Sequence, residues 1–255
     1  MPRMRAPRPA GPRGWSLRRL VRARELVTVA LVASAAGGLW LFLEVAEAIR
    51  HDEVRSLDRA VLLALRDPAD PAEPLGPRWV EEMGRDLTAL GGTAVLTLVS
   101  IAAALFLWMA RRPRSVALLA VAIAGGQALS LVLKHGYARP RPDLVPHGSY
   151  VYTASFPSGH SMMSAVVYLT LGALLARVLP RRRMKLLVMA CALGATLLTG
   201  ASRVYLGVHW PTDVIAGWAV GGSWAVACWL AADLLDRRRA RGTPPEGSGP
   251  GSEEA

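Results

Sequence analysis

Cysteine is nearly absent from this 255-residue chain; the 2 present are Cys191 and Cys228. Both fall inside apolar stretches, so no disulfide framework is available, and no Cys/His cluster stands ready for zinc. Free cysteines in such settings are packing residues. A repeat of solenoid length is also missing. Acidic residues are in the minority, 19 Asp and Glu against 30 Lys and Arg, giving a formal charge of +11. In a soluble protein that excess would suggest nucleic acid. Here most of the arginines lie in short segments beside apolar blocks, which membrane topology explains, so no nucleic-acid partner is expected.

What the chain has in quantity is apolar sequence, 52% of residues with a mean hydropathy of +0.29, arranged in blocks. Blocks of roughly 20 residues span a bilayer as helices. The sequence predicts an all-α polytopic membrane bundle with six transmembrane helices, at 26–49, 89–110, 115–133, 161–179, 186–201 and a last one at 212–235. The first block is longer than a secretory signal requires, so it is read as a span. Residues 1–24 form a basic, Pro- and Arg-rich tail and 237–255 a second tail, both expected to be disordered; 25–236 form the membrane domain.

The connections carry their own signals. In the long polar segment 50–88, Val54, Leu57, Val61 and Leu65 recur at helical spacing, which predicts a short helix along the interface, followed by a proline-broken loop. Pro140, Pro142 and Pro146 predict a loop over 134–158. Gly217 and Gly221 form a GxxxG pair suited to close helix approach. Basic residues crowd the N-terminal tail, the turns at 111–114 and 181–185, and the segment 237–241. With alternating spans all of these share one face, which the positive-inside bias makes cytoplasmic, both termini included.

Polar clusters among the later spans then fall on the opposite, extracytoplasmic face. They are KHGYARPRP with Lys134, Arg139 and Arg141; SFPSGHS with Ser158, Gly159 and His160; and SRVYLGVHWPTD with Ser202, Arg203, His209 and Asp213. Charges beside hydrocarbon are costly unless they pair or function. Taken singly, the cations could be headgroup anchors, His160 a helix cap and the His209–Asp213 pair a structural hydrogen bond. Their shared face favours one phosphate-handling site.

Arg141, Arg203 and Lys134 supply the donors a phosphate dianion needs. Pro157 in the first helical turn would leave the amides around Ser158, Gly159 and His160 open to an anion. One imidazole can attack phosphorus while a second protonates the departing oxygen. Asp213, four residues after His209, can orient its ring. No metal or other cofactor is needed where cations and amides supply the charge stabilisation. Arg139 is a possible helper; Asp143, His51, His135 and His147 are left out.

These clusters resemble the signature of the type 2 phosphatidic acid phosphatase superfamily: Lys-x6-Arg-Pro, Pro-Ser-Gly-His and Ser-Arg-x5-His-x3-Asp. Every position is filled, by Lys134 with Arg141-Pro142, by Pro157 to His160, and by Ser202-Arg203 with His209 and Asp213. The resemblance implies a metal-independent lipid phosphatase. It assigns His209 as nucleophile, Asp213 as its orienting partner and His160 as acid. Lys134, Arg141, Ser158, Gly159 and Arg203 then hold phosphate oxygens. An outward-facing site suggests undecaprenyl diphosphate first, with phosphatidylglycerophosphate or phosphatidic acid next. A transporter or receptor that binds a lipid phosphate without cleaving it is the alternative of another class. The bilayer and the lipid phosphate are the expected partners, and the oligomeric state is left open.

Overall fold

A computed structural model describes residues 15–143 and 154–242, all of whose regular structure is helical apart from one isolated bridge between Arg66 and Pro74. The helices are α1 (Trp15–Arg50), α2 (Arg55–Ala64), α3 (Arg78–Ala89), α4 (Thr93–Met109), α5 (Pro113–Tyr137), α6 (Gly159–Val178), α7 (Arg182–Tyr205) and α8 (Pro211–Gly242). Five of them are long and apolar enough to cross a membrane, and α3 with α4, bent by 47° at their junction, meet the same criterion as a pair, which gives five to six candidate spans. The all-α membrane bundle expected from the sequence is therefore present.

Its boundaries differ from expectation in physically intelligible ways. Helix α1 begins at Trp15, inside the expected tail, because 15–36 contains neither Pro nor Gly and is rich in Arg, Leu and Ala. Likewise α8 continues through Arg-rich sequence to Gly242. The expected disorder of 1–14 and 243–255, and Pro146 and His147, lie outside the described residues. Pro77 does not merely end the polar loop but stands at the N-cap of α3, a helix the sequence reading missed. Helix α7 has 24 residues, longer than the expected fifth span, and carries Ser202 and Arg203 in its last turns. Lys134 likewise sits in the last turn of α5 rather than in a loop.

The exterior is apolar, and small and polar side chains share the interior with apolar ones such as Phe156, Met162 and Leu119. Leu98, Phe106, Val132 and Leu187 face outward, whereas Ser130, Ser161, Ser164, Thr196 and Thr199 are buried. Helix α6 is the innermost span. Against it lies α8, whose GxxxG pair has the predicted use: a Cβ on Gly217 would stand 2.8 Å from Ser158 O, and one on Gly221 would overlap Met162 O. Replacing Gly221 with valine is expected to destabilise the bundle by about 1–3 kcal/mol through overpacking. Thermal unfolding in detergent checks this. Gly222→Val is the control, since a Cβ there meets nothing nearer than Leu169 Cδ1 at 3.9 Å.

The bundle's two ends differ in character. Arg114 approaches Asp236 at 4.0 Å, and Arg237 donates to Thr28 Oγ1 at 3.4 Å, so the N-terminal ends of α5 and α1 meet the C-terminal part of α8 at the arginine-rich end. At the other end Phe42 of α1 stacks on Phe156, and Tyr137 of α5 meets both rings edge-on. The polar clusters gather at this second end.

Candidate active site

His209 lies in the short connection between α7 and α8. Gly207, with φ of +72°, reverses the chain after α7, and Pro211 at the first position starts α8. The N–H of Trp210 donates to Asp213 Oδ2 at 3.1 Å, the reciprocal half of a capping box. That bond fixes the Asp213 carboxylate beneath the His209 ring. His209 Nδ1 stands 3.5 Å from Asp213 Oδ2 and 3.2 Å from Ser155 Oγ, and the Ser155 hydroxyl donates to the same carboxylate oxygen.

On the other edge of the ring, Arg141 Nη1 donates to Nε2 at 3.0 Å and to Val208 O at 3.0 Å. Arginine is a donor only, so Nε2 carries a lone pair and Nδ1 carries the proton. Burial holds His209 down at about 4, against the opposing effect of its hydrogen bond to Asp213, so the ring is neutral near pH 7. The result is an imidazole whose lone-pair nitrogen faces the Arg141 guanidinium and whose other nitrogen is held by a carboxylate and a hydroxyl.

The remaining expected residues surround this nitrogen from other helices. The charges of Arg203, Arg141 and Lys134 are felt at His160, in the first turn of α6. Lys134 Nζ donates to Ala154 O at 2.7 Å. Arg203 Nη1 donates to Thr88 Oγ1 at 3.1 Å, while its buried Nε has no hydrogen-bond partner among the described residues. A buried N–H of that kind calls for an acceptor. A Cβ on Gly159 would meet only Lys134 Cε, at 3.6 Å, so packing leaves the space over this residue open.

Ser158 differs from expectation. It is the N-cap of α6, preceded by Pro157, so the proline stands outside the helix instead of in its first turn. Its Oγ accepts from Ser161 Oγ at 3.0 Å and from Ser161 N at 3.5 Å, and its amide donates to Asp213 O at 3.0 Å. Ser158 thus joins the start of α6 to the start of α8. The amides that an α-helix leaves without an intrahelical acceptor here are those of Gly159 and His160.

The PAP2 superfamily model matches 115–236. Phosphatidylglycerophosphatase B of Bacillus subtilis (strain 168) is 36% identical over 188 residues, covering 71% of this chain and 85% of that protein. The chain belongs to the PAP2 superfamily. A crystal structure of a transmembrane PAP2 type phosphatidylglycerolphosphate phosphatase from Bacillus subtilis superposes with a TM-score of 0.69 at 29% identity, covering 82% of this chain and 99% of that one. The undecaprenyl-diphosphatase of Sulfolobus acidocaldarius is 36% identical over 101 residues, 38% of this chain and 44% of that protein. This PAP2 chain is accordingly a multi-pass membrane lipid phosphatase, a hydrolase.

The PAP2 site also contains residues that the motifs did not announce. Arg139, set aside as a possible helper, donates to Asp213 Oδ1 at 2.7 Å, to Thr212 Oγ1 at 2.8 Å and to Asp58 Oδ2 at 2.7 Å. Asp58 comes from α2 and Ser155 from the segment before α6; both are fully buried. Neither has a sequence signal: Asp58 is one charge among several on an amphipathic helix, and Ser155 is a serine near two others. Of the histidines left out of the site, the two among the described residues have other partners, His51 on Glu47 at 2.9 Å and His135 on Leu131 O at 2.8 Å.

Proposed function

We propose that this PAP2 lipid phosphatase removes the terminal phosphate of phosphatidylglycerophosphate at the extracytoplasmic face, through a phosphohistidine on His209. The observation that supports the chemistry is the placement of the His209 ring, with Nε2 facing Arg141 and Nδ1 facing Asp213 and Ser155. In the first step the Nε2 lone pair attacks phosphorus and the P–O ester bond breaks. His160 gives its proton to the departing oxygen, and a phosphate dianion beside the ring favours the protonated form that this requires. Arg141, Arg203 and Lys134, with the Gly159 and His160 amides, take the equatorial oxygens. Water then attacks the phosphohistidine, His160 recovers the proton, and the P–N bond breaks to release phosphate.

The choice of lipid rests on extent of similarity. The likeness to phosphatidylglycerophosphatase B runs through most of that protein, whereas the likeness to an undecaprenyl-diphosphatase covers less than half. This favours the phospholipid over undecaprenyl diphosphate, which topology alone had put first. The orientation follows from the arginine-rich end, which the positive-inside bias assigns to the cytoplasm together with both termini.

The test is phosphate release in detergent, with chelator present, from phosphatidylglycerophosphate, phosphatidic acid and undecaprenyl diphosphate. The expected result is chelator-insensitive release with the highest kcat/KM on phosphatidylglycerophosphate. A higher kcat/KM on undecaprenyl diphosphate would overturn the substrate assignment, and loss of activity in chelator the metal-free mechanism.

A further inference from the structure

Helix α2 contributes one side chain to the site from far away in sequence, and its chemistry is unusual. The Asp58 carboxylate is fully buried. It accepts from the Thr212 amide at 3.0 Å, from the Thr212 hydroxyl at 2.6 Å and from Arg139 Nη2 at 2.7 Å. Arg139 is therefore shared between two buried carboxylates, Asp58 and Asp213, each at 2.7 Å. Two carboxylates and one guanidinium leave one negative charge in excess, immediately behind His209.

We propose that Asp58 is a positioning residue for the phosphotransfer to His209: by sharing Arg139 it prevents that guanidinium from neutralising Asp213. The inference rests on the phosphohistidine reading above. When Nε2 attacks phosphorus, the neutral imidazole becomes an N-phosphorylated imidazolium with a positive ring. The excess negative charge behind Nδ1 stabilises that developing charge in a buried setting where Coulomb interactions are strong. Asp58 also holds the first turn of α8 through Thr212, and so the backbone that carries Asp213. The same helix exposes Leu57 and Val61, one turn apart, on another face. An apolar stripe of this kind seats α2 at the interface, and Asp58 ties that seat to the catalytic carboxylate.

The critical variant is Asp58→Asn, which keeps the shape and an acceptor for Thr212 but removes the charge. Activity is normalised to the fraction of enzyme that forms phosphoenzyme in a single-turnover burst, so that unfolded protein does not count. The expected result is a kcat lowered by roughly 10- to 100-fold, the range for disturbing an oriented catalytic group, with KM within about threefold of wild type. Arg139→Gln removes the shared cation, so Asp58→Asn added to it is expected to produce no further loss beyond about twofold. Should Asp58→Asn fail to fold, Asp58→Ser carries the same expectation.

A normalised kcat within about twofold of wild type, or an undiminished effect of Asp58→Asn in the Arg139→Gln background, would overturn the proposal. Either outcome can occur only in an enzyme whose wild type turns over and forms phosphoenzyme. If wild type forms no phosphoenzyme, the phosphohistidine reading fails and the role of Asp58 falls with it.

Discussion

Replacing His209 with alanine is expected to lower phosphate release on the order of 10⁴-fold or more, a loss typical of removing the nucleophile from a set of residues that act as a unit. At about 1.36 kcal/mol per tenfold, this is at least about 5.5 kcal/mol of transition-state stabilisation. The reason lies in what the rest of the site is arranged to do. Asp213, Ser155 and the capping bond from Trp210 serve to orient one imidazole, and Arg141 meets its free nitrogen at 3.0 Å. Without the ring, these groups surround a phosphate that only water can attack. Labelled terminal phosphate should mark wild-type protein with an acid-labile group and leave His209→Ala unmarked. Turnover of His209→Ala within about tenfold of wild type would rule out His209 as the attacking group. Phosphate binding should survive in the variant, because Arg203 and Lys134 are held by Thr88 and Ala154, not by His209.

The fold and the centre of the site were legible in the sequence for a common reason: their signals are local. Apolar blocks announce spans, Pro211 announces the start of α8, and the spacing of His209 and Asp213 across that start places one beneath the other. Convergence of the three clusters followed from topology, since helices that alternate across a bilayer bring their polar ends to one side. Contacts made by chain segments far apart were not legible. Asp58 meets Thr212 across 154 positions and Arg139 meets Asp213 across 74, and no spacing rule reaches that far. Helix α3 was hidden by the prolines ahead of it, because Pro77 reads as a breaker until it is seen at the helix start. Ser158 was legible as part of the site but not in its capping role, which depends on Asp213 O arriving from another helix. The lipid was the least legible feature. The motif residues handle the phosphate, which every candidate substrate shares.

His160→Ala is expected to distinguish an acid from a mere contact, because its effect must depend on the leaving group. General acid catalysis contributes about 10²–10⁴-fold when the departing oxygen is a poor leaving group, such as the glycerol alkoxide of a phospholipid. With p-nitrophenyl phosphate the departing phenolate needs no proton, and the same variant is expected to lose about tenfold or less. If His160 instead only bound phosphate, both substrates would lose activity in the same proportion, through KM. The site's geometry favours the first outcome. His160 opens α6 with the charges of Arg203, Arg141 and Lys134 already around it, so removing one imidazole leaves most of the anion's donors in place. It removes the second imidazole of the site, the group to which the proposed mechanism gives the proton transfer. Measuring kcat and KM for both esters with wild type and variant decides between these roles. Equal fractional losses on the two substrates would move His160 from proton transfer to binding, and the leaving oxygen would then take its proton from water.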